Sequence, residues 1–168
     1  MKSKLLLLCM TIIIATALAA CDGEETKEKA TDSKVENKQN SKDEDSKIPF
    51  PENTKPIGNA TITVSTPAGN SKDGNVPVLF VNKDSLSESI GVDYENFQGD
   101  KETFVYINKK HHHTEQYASL TQSSEGLEGN FLKPGNYTIA AVQFEDNNPS
   151  KTPVTYTEAK YEIKKATE

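Results

Sequence analysis

Three consecutive histidines, His111-His112-His113, are the only imidazoles in the 168-residue chain, and a carboxylate follows them at Glu115. On an extended strand, successive side chains alternate between faces, so His111, His113 and Glu115 would project together. Two nitrogens and one oxygen are donors suited to Zn²⁺ or Cu²⁺. Against that reading, a closed site needs about four ligands, and consecutive strand residues are divided between faces. Asn108-Lys109-Lys110 immediately upstream has the composition of a hairpin corner, where any polar triplet is tolerated. The expectation is a solvated turn with no bound metal.

Other chemistries find less support. Serines are plentiful, but the chain contains no Gly-x-Ser-x-Gly elbow to present a nucleophile to a histidine base. The carboxylate pairs Glu145/Asp146 and Asp93/Glu95 would serve as acid and base only if their surroundings separated their pKa values, and surface charge is the simpler account. The oxygen-rich loops Asn70 to Asn75 and Asp146 to Asn148 do not follow the spacing of a helix-loop-helix calcium site. No glycine-rich phosphate cradle is present. The expectation is therefore a protein that is not an enzyme and carries no cofactor beyond covalent lipid.

That lipid is implied at the amino terminus. Lys2 and Lys4 precede an apolar run from Leu5 to Ala17, and Leu18-Ala19-Ala20-Cys21 follows directly. The run is shorter than the ~20 residues needed to cross a bilayer as a permanent helix, so residues 1–20 read as a removable signal peptide. Leu18, Ala19 and Ala20 fit a peptidase cleft, and the Cys21 thiol is a nucleophile open to alkylation. The four residues resemble the lipobox of bacterial lipoproteins. The resemblance implies cleavage before Cys21, a diacylglyceryl group on its sulfur with palmitate-type acyl chains, and anchoring in membrane lipid at the extracytoplasmic face of the cell membrane. Two acyl chains, at about 0.8 kcal/mol per buried CH₂, hold stably where one holds marginally. Asp22 resembles the inner-membrane retention signal of two-membrane envelopes. The absence of arginine with abundant lysine and asparagine instead favours an AT-rich genome and a Gram-positive envelope.

Composition narrows the partners. The whole chain carries 19 basic and 25 acidic residues, and loss of Lys2 and Lys4 with the leader makes the mature chain more acidic still. Without arginine, and with an acidic surface, nucleic acid is excluded as a partner. The two cysteines are Cys9 and Cys21, so the remainder of the chain has no thiol and must be stable on packing alone. From Asp22 to Lys47 the residues are almost all charged or polar, too apolar-poor to offset the entropy of ordering. Residues 21–57 are therefore expected to be the lipidated cysteine and a disordered, proline-containing tether, with a reach of about 85 Å when its first 26 residues are stretched.

Residues 58–168 read as strands separated by turns. Ile62 and Val64 alternate with threonines, and Val76 to Val81 carries a proline that favours a sheet edge. Leu86, Ile90, Val92 and Tyr94 share one parity, which favours a strand, although Ser85 and Glu88 also fit a helix capping box. Phe104 to Ile107 is apolar on both faces, as a central strand would be. His111 to Gly129 is the least regular stretch, with a short strand or helical turn expected near Tyr117 and another strand near Leu127. Pro134-Gly135 suits the centre of a type II turn, and strands follow over Tyr137 to Glu145 and Val154 to Lys164. About seven short strands in ~110 residues are the pattern of an antiparallel sandwich. Leu132, Gly135 and Tyr137 resemble the corner before the penultimate strand of immunoglobulin-like domains. The fold class expected is all-β, an immunoglobulin-like antiparallel β-sandwich.

Location and fold together imply a non-catalytic binding module that meets an envelope protein or surface ligand through loops or edges. A spacer subunit of an envelope machine is the alternative, and a metal-binding role for the histidine cluster is a third.

Overall fold

The computed structural model describes residues 48–52 and 55–167. The segments read from sequence as a signal peptide and a lipobox ending at Cys21, and the polar stretch through residue 47, lie outside the described residues. Among those described, nine strands form two sheets. They are β1 (Thr61–Thr66), β2 (Gly69–Asn70), β3 (Val78–Val81), β4 (Ser87–Glu95), β5 (Glu102–Ile107), β6 (Lys110–Gln116), β7 (Leu120–Glu128), β8 (Gly135–Phe144) and β9 (Pro153–Lys165). One sheet has the order β2-β1-β4-β7 and the other β3-β9-β8-β5-β6.

The connectivity defines the fold class. The chain crosses between sheets after β2, β3, β4, β6 and β7, and the first long strand and the last lie in different sheets. Neighbours are antiparallel except that β3 runs parallel to β9. This exchange of strands between two packed sheets is that of an immunoglobulin-like sandwich. The corner expected at Tyr137 is present: its hydroxyl donates toward the Lys133 carbonyl at 2.7 Å and the Asn130 carbonyl at 3.1 Å.

Period-two alternation places the core. Ile62 and Val64 of β1 and Ile90, Val92 and Tyr94 of β4 meet Val105, Ile107, Ile139, Ala141, Tyr161 and Ile163 of the opposite sheet. The five-stranded sheet is also buried on its outer face. There Phe104, Tyr106, Ala140, Val142, Phe144 and Tyr156 form a second cluster, with Ile48, Phe50 and Ile57 packed over it. Phe50 meets Tyr106 edge-on at 5.2 Å, the Tyr106 hydroxyl donates to the Pro49 carbonyl, and Ile57 pairs with Tyr156 through two backbone hydrogen bonds. Residues assigned by sequence to the end of the tether thus lie against the sheet. The apolar character of β5 on both faces has its cause in this strap.

Turn chemistry is as expected at one corner and different at another. Asn108 and Lys109 both have positive φ, 48° and 67°, making the two-residue connection between β5 and β6 a type I′ hairpin. Pro77 adjoins an edge strand, and its carbonyl accepts from Glu162 N–H. Pro134-Gly135, by contrast, is not the centre of a type II turn. The chain reverses earlier, in the 3₁₀ turn Gly129–Leu132, and Gly135 already pairs with Ile163 in β8.

The stretch from His111 to Gly129 is more regular than its sequence implied. It holds two full strands, β6 and β7, with β7 paired to β4 over nine positions. Both strands sit at sheet edges, where only one face meets the core. Few apolar residues are then needed, and in β7 the alternation is carried mostly by polar side chains. Leu86 does not join the parity of Ile90 and Val92 but is 88% exposed. Ser85 does bond Glu88 at 2.8 Å, but from the loop before β4 to the start of that strand and not at a helix start.

Candidate functional site

The histidine triplet occupies β6, and its geometry is set by a bulge. Val105 of β5 faces His113 while the next residue, Tyr106, faces His111, so His112 is the extra residue. A bulge places two residues of one strand opposite one of its partner and re-aims their side chains. His111 is thereby separated from His113. Its ring lies beside Phe104 and Tyr106 of the outer face, and its Nε2 is 2.8 Å from Thr114 Oγ1. His112 and His113 instead converge, with ring centroids 5.2 Å apart, on a carboxylate from the other sheet.

That carboxylate is Glu125 of β7, only 3% exposed. It shares inward parity with Ser123 and Leu127, and Leu127 is fully buried. Glu125 Oε2 lies 3.3 Å from His113 Nδ1 and 3.8 Å from His112 Nε2. Its other oxygen accepts a hydrogen bond of 2.8 Å from the Tyr94 hydroxyl of β4. His113 Nε2 is 2.8 Å from the Tyr117 hydroxyl, and the rings of Tyr117 and Tyr94 stack at 3.8 Å. Phe131 stands edge-on to His112 at 5.9 Å. The outcome is a polar cluster walled by aromatics in the seam between β6 and β7, the edge strands of the two sheets.

Burial shifts the titratable groups of this cluster toward their neutral forms. Burial pushes the Glu125 carboxyl above its usual range, opposed by the Tyr94 hydrogen bond and by His112. Burial pulls His112 below its usual value, helped by His113 and opposed by Glu125. His113 is likewise lowered by burial, with Glu115 acting the other way. The Tyr117 hydroxyl is pushed up to about 12, chiefly by burial and then by Glu125, and Tyr94 is raised further by the same two causes. Neutral imidazoles and protonated phenols follow at pH 7. The contacts of Glu125 with His112 and His113 are therefore approaches between donor atoms more than ion pairs.

The donor set that sequence proposed, His111, His113 and Glu115, is not brought together. His111 faces the outer cluster and Glu115 is exposed. The set that does converge is His112, His113 and Glu125, whose ligating atoms all lie within 4.8 Å of one another. Glu125 was missed because nothing adjacent in sequence marks it, although its parity with Leu127 was readable. The other carboxylates considered are at the surface. Asp146 pairs with Lys151 at 2.6 Å, and Asp93 accepts from Gln122 at 2.9 Å. In the oxygen-rich loops, Asn147 Oδ1 accepts from Glu102 N–H and Asn70 Oδ1 from Lys72 N–H.

Sheet order and the tyrosine corner make the described part of the chain an immunoglobulin-like β-sandwich domain. No known protein family matches the chain, and no curated protein does. Among solved structures it is similar to the fibronectin(III)-like modules of Clostridium thermocellum CbhA, at 9% identity and a TM-score of 0.37, over 64% of this chain and 99% of that one. It is also similar to the CARDB domain of PF1109 from Pyrococcus furiosus, at 16% identity and a TM-score of 0.38, over 65% of this chain and 97% of that one.

Proposed function

We infer that the chain is a bacterial envelope lipoprotein, fixed to the outer face of the cell membrane through acyl chains on Cys21, whose sandwich acts as a non-catalytic binding module. The observation that carries this is the sequence Leu18-Ala19-Ala20-Cys21 after a short apolar run, followed by a polar stretch and then a sandwich packed from Ile48 onward. The anchor confines the domain to the membrane surface. The polar stretch sets its reach, and a rigid two-sheet scaffold displays loops and edges to a partner. An envelope protein or surface ligand is the partner class, and the acidic, arginine-free surface disfavours polyanions.

The anchor is tested by mass spectrometry of the protein's amino terminus and by fractionation of cells that make the wild type or Cys21→Ser. Lipid mass on Cys21 with membrane-bound wild type, and Cys21→Ser shifted out of the membrane fraction as unprocessed or soluble chain, is the expected result. An unmodified Cys21 with wild type free in the medium would refute it. Binding is tested by crosslinking on intact cells. A discrete partner that is lost on loop or edge substitutions, with the domain still folded, supports a module, and no discrete partner refutes that half of the proposal.

A further inference from the structure

We propose that His112, His113 and Glu125 form a binding site for a divalent transition ion of the Zn²⁺ class, bridging the edge strands of the two sheets. The inference is independent of the anchor and of any macromolecular partner. It rests on where three donor atoms stand and on what holds them there.

Distances come first. Zn²⁺ bound to imidazole nitrogen and carboxylate oxygen at about 2.0–2.2 Å places tetrahedral donors about 3.3–3.5 Å apart. Glu125 Oε2 already stands 3.3 Å from His113 Nδ1 and 3.8 Å from His112 Nε2. All three donors fall within 4.8 Å of one another, so small side-chain rotations close the set around one ion.

The surrounding groups orient the donors. A metal-binding histidine usually has its second nitrogen fixed by a hydrogen bond, and a ligating carboxylate is itself hydrogen-bonded. Here Tyr117 lies at His113 Nε2, so that nitrogen can donate to the phenol oxygen and leave Nδ1 as the ligand. Tyr94 donates to Glu125 Oε1 and leaves Oε2 for the ion. The tyrosines are in turn fixed by stacking on each other, and Phe97 packs edge-on to both. Entry is open from the histidine side, because the His112 and His113 side chains are 19% and 28% exposed while Glu125 lies behind them.

Donor type selects the ion. Two imidazole nitrogens and one carboxylate oxygen suit Zn²⁺ and neighbouring ions of the first transition row better than Ca²⁺ or Mg²⁺, which take oxygen shells. Three protein donors leave a fourth position for water. A buried carboxylate whose near neighbours are two neutral histidines also gains from a cation between them.

The full chain, purified in detergent without a histidine tag and stripped of metal, is titrated with Zn²⁺ in a calorimeter. One ion per chain with a Kd in the micromolar range or tighter is expected. Since only the folded chain holds the three donors together, Tm should rise by about 10 °C at free ion 100 times Kd. Glu125→Gln, which keeps an acceptor for Tyr94, and His113→Ala should each weaken binding by about 100-fold or more, and Tyr117→Phe by about 10-fold. His111→Ala should bind as the wild type does. Nitrogen NMR of the wild-type imidazoles needs no variant: Zn²⁺ should shift His112 and His113 and leave His111 in place. No saturable binding by the wild type overturns the proposal. So does binding that survives both Glu125→Gln and His113→Ala in folded chains, or loss on His111→Ala equal to theirs.

Discussion

Two tyrosines stacked on each other do opposite things for stability. Tyr137 and Tyr161 lie with ring centroids 5.3 Å apart and planes 16° from parallel. The Tyr137 hydroxyl satisfies backbone carbonyls of Asn130 and Lys133, whereas the buried Tyr161 hydroxyl has no hydrogen-bond partner among the described residues. A buried hydroxyl without a partner costs desolvation and returns nothing, while a partnered one contributes about 0.5–1.5 kcal/mol per bond. Tyr137→Phe should therefore lower unfolding free energy by about 1–2 kcal/mol in urea titrations. Tyr161→Phe should leave it unchanged or raise it by up to about 1 kcal/mol. A cost at Tyr161 equal to that at Tyr137 would contradict this account.

At the scale of elements, the strap and the bulge carry most of what distinguishes this sandwich. Ile48, Phe50 and Ile57 of this strap cover the second cluster, and Phe50 contacts both Tyr106 and Tyr156 edge-on. Because Phe50 is half-buried, Phe50→Ala should cost about 1–3 kcal/mol, less than a fully buried aromatic truncation. Limited proteolysis checks the same element differently. The protease-resistant fragment should begin at or before Ile48, and a stable fragment beginning near Gly58 would show the strap to be dispensable. The bulge at His112 acts on direction more than on energy. Deleting His112 should restore a regular β5–β6 ladder and separate the side chains that now converge on Glu125. Zn²⁺ binding in calorimetry should then be lost while the far-ultraviolet circular dichroism of the sandwich stays.

On the scale of the whole molecule, the two sheets are joined along both sides by polar contacts as well as by the core between them. On one side the Thr66 hydroxyl of β1 donates to the Val78 carbonyl of β3 at 2.8 Å. On the other, Glu125 of β7 faces His112 and His113 of β6. An ion at that second seam would tie two edge strands that share no backbone ladder, so amides of β6 and β7 should exchange more slowly with Zn²⁺ present. Hydrogen exchange equal with and without saturating Zn²⁺ would separate binding from any bracing of the seam.

The identity of β1, β3, β4, β5, β8 and β9, the interior place of β5, the edge place of β3 and the tyrosine corner were legible in the sequence, because each depends on local alternation or turn chemistry, whereas β2, β6 and most of β7 were not. The lipobox is likewise a local pattern, and the anchoring drawn from it rests on sequence alone. Tertiary structure decided the rest. A bulge is a relation between two strands, so the periodicity of β6 could not show that His112 and His113 would aim together or that His111 would turn away. Glu125 became buried only because β7 pairs with β4 and lies across the seam from β6. The strap became part of the fold because β5, β8 and β9 present an apolar outer face that Ile48, Phe50 and Ile57 can cover.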